Sequence, residues 1–523
     1  MGTEIGNLKK DISYLASDAL EGRRTGTKGE EMARQYLEKR YAQIGIPAWR
    51  KSYGHPFSFD KGKRMGSKTR LTLAGIKYTS GSPMFPMPWS GNGEVKDFTI
   101  LPLFEKAEDA GNPHFDWNES AYNRARDAQK AGAAGVVFWA PPTTSDRVQF
   151  RTKGEDETID IPVAVVFTAE VPKPLPGEML KVELTKEEGT AYNVAAYLDA
   201  GAPYTIVIGA HYDHLGHGED GNSLQANAAK LSEVHNGADD NASGTAGLLL
   251  LAQRLKAAGK HSYNYLFVHF SGEELGLLGS KAFAKAFNLD STNTAAMINM
   301  DMIGRLSDSS RALTVGGWGT SPIWASIMPL KATSGFGATA STTTTLISAV
   351  PNTNFKIALD SAGIGPSDHT SFYTHGIPVL FFFTGVHTDY HKPSDDADKI
   401  NYKGEWDVLN LVDSVVTRLD AQPKPRFTTT KQNLAGKVRF KVTLGIMPDY
   451  AFNEGGVRVE GVSDDRPAAK AGVQAGDVLL ELGPYKIGGM QTYMEALSKL
   501  KSGDKVPLKL RRLGKEQVVD VTL

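Results

Sequence analysis

Cysteine is absent from this 523-residue chain, which excludes a disulfide framework and any thiolate-bound metal. A metal centre would have to be built from histidine, aspartate and glutamate alone. Neither sign of charge predominates: 58 Lys and Arg against 59 Asp and Glu leave a net charge of −1. That balance gives no reason to expect a nucleic acid or an anionic membrane as partner. No apolar run approaches the roughly 20 residues a spanning helix needs, so no transmembrane segment is expected. The opening residues, MGTEIGNLKKDI, contain no apolar signal core. They read as the start left once a secretion signal has been removed, and the expected location is secreted or periplasmic.

What is present is the composition of a globular protein, 41% hydrophobic and 22% charged, at a length that implies two or three domains. Residues 1–65 open with two amphipathic helices, one over about Leu8–Leu20 and one in EEMARQYLEKRYAQIG, which Gly45 stops. Residues 66–188 change texture. Short β-like runs (TRLTLAG, DFTILPLF, GVVFWA, IPVAVVF) alternate with Gly and Pro around one helical piece, YNRARDAQKAG. Over 189–420 apolar runs alternate with helical patterns: YTIVIG, GTAGLLLLAQRLKAAG, YLFVHF, AAMINMDMIG, IPVLFFF. Strands apolar on both faces and interleaved with helices imply a three-layer αβα core on a mixed, mainly parallel sheet. The polar, proline-bearing stretch at 421–435 reads as a linker. Residues 436–523 form a separate alternating β pattern with one helix, MQTYMEALSKLK.

Three of the apolar runs end in ligand-type residues, and a fourth stretch carries them just before a helix. YTIVIGA leads into His211 and Asp213, and YLFVHF into Glu273 and Glu274. MINM leads into Asp301, and HNGADDNASG carries Asp239 and Asp240 just before a helix. In open α/β sheets the working crevice lies beyond the carboxyl ends of the strands, so the recurrence says more than any one acid. Two cations sharing a bridging carboxylate need about five side chains, and His211, Asp240, Glu274, Asp301 and a later histidine supply them. Consecutive residues in extended backbone point different ways. One glutamate of the adjacent pair can therefore anchor a metal while the other acts as a base toward water. The pattern alone does not say which. Asp240 has a second reading as a helix cap, a task Asp239 or Asn241 could also perform. His214, His217 and His235 read as loop histidines at the rim, and Phe372 and Tyr373 as core.

Together, HYDHLG, GADDNASG, SGEELGLLGS, NMDMIGR, SDHTSF and YHKPSDDADKI resemble metallopeptidase family 28, the co-catalytic zinc aminopeptidases. That resemblance implies that His211 and Asp301 hold one zinc, Glu274 and His391 a second, and that Asp240 bridges them. It implies Glu273 as general base, raised by neighbouring acids and opposed by the dications. Asp213 would hydrogen-bond the histidine ligand, and Asp368 would lie behind the site or face substrate. His391 is favoured over His387 because an aspartate, Asp395, follows it by four positions. The 66–188 module resembles a protease-associated domain and 436–523 a PDZ domain, with the LGIMPDY loop at Leu444 receiving a chain-end carboxylate. The expected activity is removal of N-terminal residues from peptides with a free N-terminus. A carboxypeptidase or a glutaminyl cyclase on the same ligand set is the rival enzyme reading, and a non-catalytic peptide-binding receptor the rival outside enzymes.

Overall fold

The computed structural model describes residues 1–523 apart from 82, 107–108, 111–116, 146–147, 149, 151–157, 221, 226–231, 329, 334–344, 349–353, 431–441, 449–455, 463–465, 490–491, 494–495, 498 and 502. The chain divides into two compact units, one of Met1–Phe57 with Ala191–Leu523 and one of Ser58–Thr190.

A ten-stranded sheet whose central strands belong to the first unit runs in the order 54–65, 184–198, 264–270, 205–211, 294–300, 379–383, 312–316, 356–359, 345–348, 330–333. It is mixed. The four central strands, Asn264–Phe270, Thr205–His211, Thr294–Met300 and Val379–Phe383, are parallel to one another. Antiparallel pairings flank them on both sides. Alternation along each strand splits the side chains between two cores. Ile206, Ile208, Tyr265, Phe267 and Ile298 face helices Gly2–Leu15, Lys28–Ile44, Gly244–Ala258 and Tyr402–Asp420. Val207, Leu266, Val268 and Met297 face Phe283 and Phe372 on the opposite side. A sheet covered on both faces explains strands that are apolar throughout. The run Leu248–Leu251 is buried all round because its helix lies between the sheet and other helices; truncating one such leucine to alanine costs about 2–5 kcal/mol.

Several boundaries differ from the sequence reading. The first helix spans Gly2–Leu15 and ends at Ala16, and the 3-10 stretch Asp18–Arg23 that follows contains Gly22 at φ 68°. The expected linker is docked on the core in its described part. Thr428 N donates to Thr320 O at 2.8 Å, Thr430 N donates to Tyr373 Oη at 3.0 Å, and Phe427 packs against Tyr373. Residues 431–435 of that segment lie outside the described residues.

The unit Ser58–Thr190 holds two four-stranded sheets and the helix Trp117–Lys130. The buried strands Val136–Ala140 and Val163–Phe167 lie parallel, next to each other. Residues 446–522 build a six-stranded sheet with a core of Leu444, Val459, Leu479, Leu497, Leu508 and Leu510. Asp449 and Tyr450 of the expected carboxylate loop, and part of the expected helix at 490–501, lie outside the described residues.

Candidate metal centre

The site is assembled at the carboxyl ends of the central strands. His211 is the last residue of Thr205–His211, Asp301 directly follows Thr294–Met300, and Glu273 and Glu274 follow Asn264–Phe270 across a short turn. Asp240 comes from the turn that opens helix Gly244–Ala258, and its peptide to Asn241 is cis. The capping task falls to Asn241. Its Oδ1 accepts the amides of Gly244 (2.9 Å) and Met302 (3.2 Å), and its Nδ2 donates to Met300 O (2.9 Å). Asp240 is thereby free to face the cleft.

Asp240 uses its two oxygens in opposite directions. Oδ1 lies 3.2 Å from His211 Nε2, which also lies 3.3 Å from Asp301 Oδ1. Oδ2 lies 3.3 Å from His391 Nε2, which also lies 3.2 Å from Glu274 Oε2. The structure thus brings together His211, Asp240, Asp301, Glu274 and His391 as two histidine–carboxylate pairs around one shared aspartate. Both imidazoles are aimed by their other nitrogen: His211 Nδ1 sits 3.2 Å from Asp213 O, and His391 Nδ1 2.8 Å from Asn222 O.

Asp213 works differently from the expectation. Its carboxylate is 3.7 Å from His211 Nδ1, so the backbone carbonyl makes the closer contact. The carboxylate instead accepts Thr25 Oγ1 at 2.9 Å and the amide of Glu273 at 3.2 Å, tying the 211–213 strand end to the glutamate pair. Asp368 is fully buried behind the cage rather than on the cleft wall, and burial is the main cause that pushes its carboxyl up to about 7. Phe372 and Tyr373 are core.

The rim assignment fails for two histidines. His214 is buried, with Nδ1 2.9 Å from Glu274 Oε1 and 3.9 Å from Asp240 Oδ2. His235 is buried with Nε2 2.7 Å from Ser223 Oγ. His214 meets a glutamate 60 positions away, a long-range contact that local polarity does not report. His387, set aside as a ligand, faces Asp239 Oδ2 at 3.1 Å, while Asp395 Oδ2 accepts the amides of both Asp239 and Asp240 at 3.0 Å.

A further functional residue escaped the sequence reading altogether. Arg23 is fully buried. Its guanidinium donates to Tyr212 O (2.9 Å), Asn236 O (2.6 Å), Gly237 O (3.1 Å) and Leu15 O. It therefore clamps the segment carrying His211 and Asp213 to the turn preceding Asp240. Burial lowers it to about 10, against the opposing fields of Asp213, Asp240, Asp395 and Glu274.

The adjacent glutamates are driven apart electrostatically. Burial, together with Glu274, Asp301 and Asp368, raises Glu273 well above the usual carboxylate range, although His211 opposes. Burial also works to raise Glu274, but His391 and His214 overcome it and hold it at about 2. Burial would lower His211, yet Asp301 and Glu273 outweigh it and raise it well above its ordinary value.

The donor set fits divalent cations. His211, Asp240 and Asp301 place one ligand atom each within 4.8 Å of one another, and so do His214, Asp240 and Glu274. Imidazole and carboxylate are the zinc ligands available without cysteine. So many buried carboxylates concentrated around Asp240 need positive charge that Arg23 alone does not supply. Beside the cage opens a cavity of about 280 Å³, walled by Met302, Ile364, Pro366, Phe381, Phe383 and Val386. Tyr390 also lines it and stacks on His391 with ring centroids 3.9 Å apart.

A layered α/β protein with a carboxylate–imidazole cage at its strand ends is the class these observations define. The chain contains a Peptidase family M28 domain, matched over residues 193–416, and a PDZ domain, matched over 438–523. A probable leucine aminopeptidase of Arthroderma otae is 27% identical over 236 residues, 42% of this chain and 56% of that one. A probable zinc metalloprotease of Pyrenophora tritici-repentis is 41% identical over 98 residues, 19% of this chain and 20% of that one. The chain thus spans between a fifth and somewhat over half of these curated relatives. Among solved structures, a zinc aminopeptidase from Bacillus subtilis is similar at 20% identity, covering 79% of this chain and 95% of that one with a TM-score of 0.49. Among the described residues no helix is long and apolar enough to cross a membrane.

Proposed function

We propose that the chain is a zinc-dependent aminopeptidase that removes N-terminal residues from peptides. The observation that carries this reading is the division of Asp240: one oxygen faces His211 and Asp301, the other His391 and Glu274. Two zinc ions would be held by those five side chains and would supply Lewis acidity toward water and the scissile carbonyl. Glu273 does the proton work. It lines the cavity beside the cage but belongs to neither histidine–carboxylate pair, which suits a group that takes a proton from attacking water and returns it to the leaving amine. Glu274, held ionised by two histidines, suits a ligand. Asp213 holds the Glu273 amide and so fixes the base relative to His211. The probable leucine aminopeptidases among the relatives favour the N-terminal reading over a carboxypeptidase on the same ligands. In the same reading the PDZ groove takes a peptide C-terminus, and the Ser58–Thr190 unit is a protease-associated module.

The test separates the two glutamates. Glu273→Gln lowers kcat by about 10²–10⁴ while zinc stoichiometry is retained. Glu274→Ala loses zinc. Metal loss in the first variant, or unchanged metal in the second, exchanges the roles. Hydrolysis of N-blocked but not free peptides would refute the aminopeptidase reading itself.

A further inference from the structure

The cavity floor is a face of the sheet, and its register shows what side chain it fits. Phe381 and Phe383 project from one strand onto this floor, their rings 5.8 Å apart and nearly parallel. On the neighbouring strand Thr314 pairs with Phe383 and Gly316 with Phe381. On the next, Val315 pairs with Leu359, and Asp360 N donates to Val315 O at 3.0 Å, so Asp360 continues the row beyond Gly316. Phe381, Gly316 and Asp360 therefore lie side by side across three strands, a span of about 10 Å leading away from the metal cage. The middle member has no side chain. Gly316 is not among the glycines with positive φ, so no backbone conformation demands glycine there. A Cβ at this position would come within 3.2 Å of the Phe381 ring and would fill the floor between the phenylalanine and the aspartate.

Asp360 lines the same cavity as the cage residues. One of its oxygens accepts the Ala362 amide at 3.0 Å, and among the described residues no lysine, arginine or histidine pairs with it. An apolar trough that begins at the catalytic carboxylates and ends on an unpaired carboxylate fits an unbranched aliphatic stem with a cation at its tip.

We propose that this cavity receives the side chain of the substrate's N-terminal residue, that Gly316 keeps the trough open, and that Asp360 selects lysine and arginine within it. The inference rests on the aminopeptidase reading and adds to it a substrate class. A norleucine side chain lies over Gly316 as lysine does but carries no charge to Asp360.

The test uses the full-length, zinc-loaded chain and p-nitroanilides of alanine, norleucine, lysine and arginine. Ratios of kcat/KM are taken within one preparation, so the active fraction cancels. Wild type is expected to cleave the lysine and arginine substrates at least as well as norleucine. Asp360→Asn should lower the lysine-to-norleucine ratio about fivefold, the scale of an ion pair open to water. Gly316→Val should lower norleucine and lysine alike relative to alanine, by tenfold or more, because the trough is blocked. A lysine-to-norleucine ratio that Asp360→Asn does not move overturns the role of Asp360, and so does a wild type that cleaves norleucine but not lysine. If none of the four substrates is cleaved, the aminopeptidase reading fails and this inference fails with it.

Discussion

Removing the buried Arg23 guanidinium tests whether the cage depends on a clamp far from it in sequence. Arg23→Met keeps length and apolar bulk but deletes donors to four carbonyls, those of Leu15, Tyr212, Asn236 and Gly237. Hydrogen bonds from a charged donor contribute about 1.5–3 kcal/mol each, so the gross loss is on the order of 10 kcal/mol. Relief of the buried charge's desolvation returns several of these, leaving a net loss of about 4 kcal/mol. Against a usual stability of about 5–15 kcal/mol the protein still folds, but its urea midpoint falls visibly. The functional consequence is more specific. Tyr212 lies between His211 and Asp213, and Gly237 precedes Asp240 by three positions, so loosening both ends spreads the ligand atoms. Zinc affinity, measured by competition with a chromophoric chelator, is expected to fall about 10–100-fold. Arg23→Lys keeps the charge but not the planar fork, and should recover only part of both losses. Wild-type zinc affinity in Arg23→Met would refute the clamp, whatever happened to the urea midpoint.

Two other outcomes follow from the histidines. His391→Ala should leave one zinc per chain by elemental analysis, whereas His214→Ala should keep two with weaker retention in chelator. The opposite result would make His214 the ligand and His391 its support. His269, fully buried beside Tyr41 Oη at 2.9 Å, is lowered to about 3 by burial. Its folded value lies below its unfolded one, so its contribution is complete above about pH 6.5 and is lost as pH falls toward 3. The slope is at most ~1.4 kcal/mol per pH unit, or about 2 kcal/mol between pH 6.5 and 5. Urea melts of His269→Gln should show that much less acid sensitivity than wild type. Equal sensitivity would place the titrating group elsewhere.

What could be read from the sequence was what local order encodes. Apolar runs stopping at His211, Glu273 and Asp301 report strand ends directly, because a strand's last residue and the crevice coincide in this architecture. Local pattern left Asp240 as one of three polar neighbours before a helix and the family resemblance singled it out; the structure gives the cap to Asn241. His214 and Arg23 were not legible for a common reason. Each earns its place through partners 60 to about 200 positions away, and in the sequence each sits in a polar stretch that reads as a solvated loop. The docked segment at 421–430 was missed because Phe427 is a single aromatic among polar residues, and one anchor leaves no periodicity.

If two zinc ions are held as proposed, the shared aspartate would make the two pockets unequal to the sum of two separate ones. A single carboxylate cannot be adjusted for one ion without moving the oxygen offered to the other. An ion held beside His211 and Asp301 would fix that side chain and with it the oxygen offered to an ion near His391. Stepwise titration with zinc should therefore show linked, not independent, occupancies.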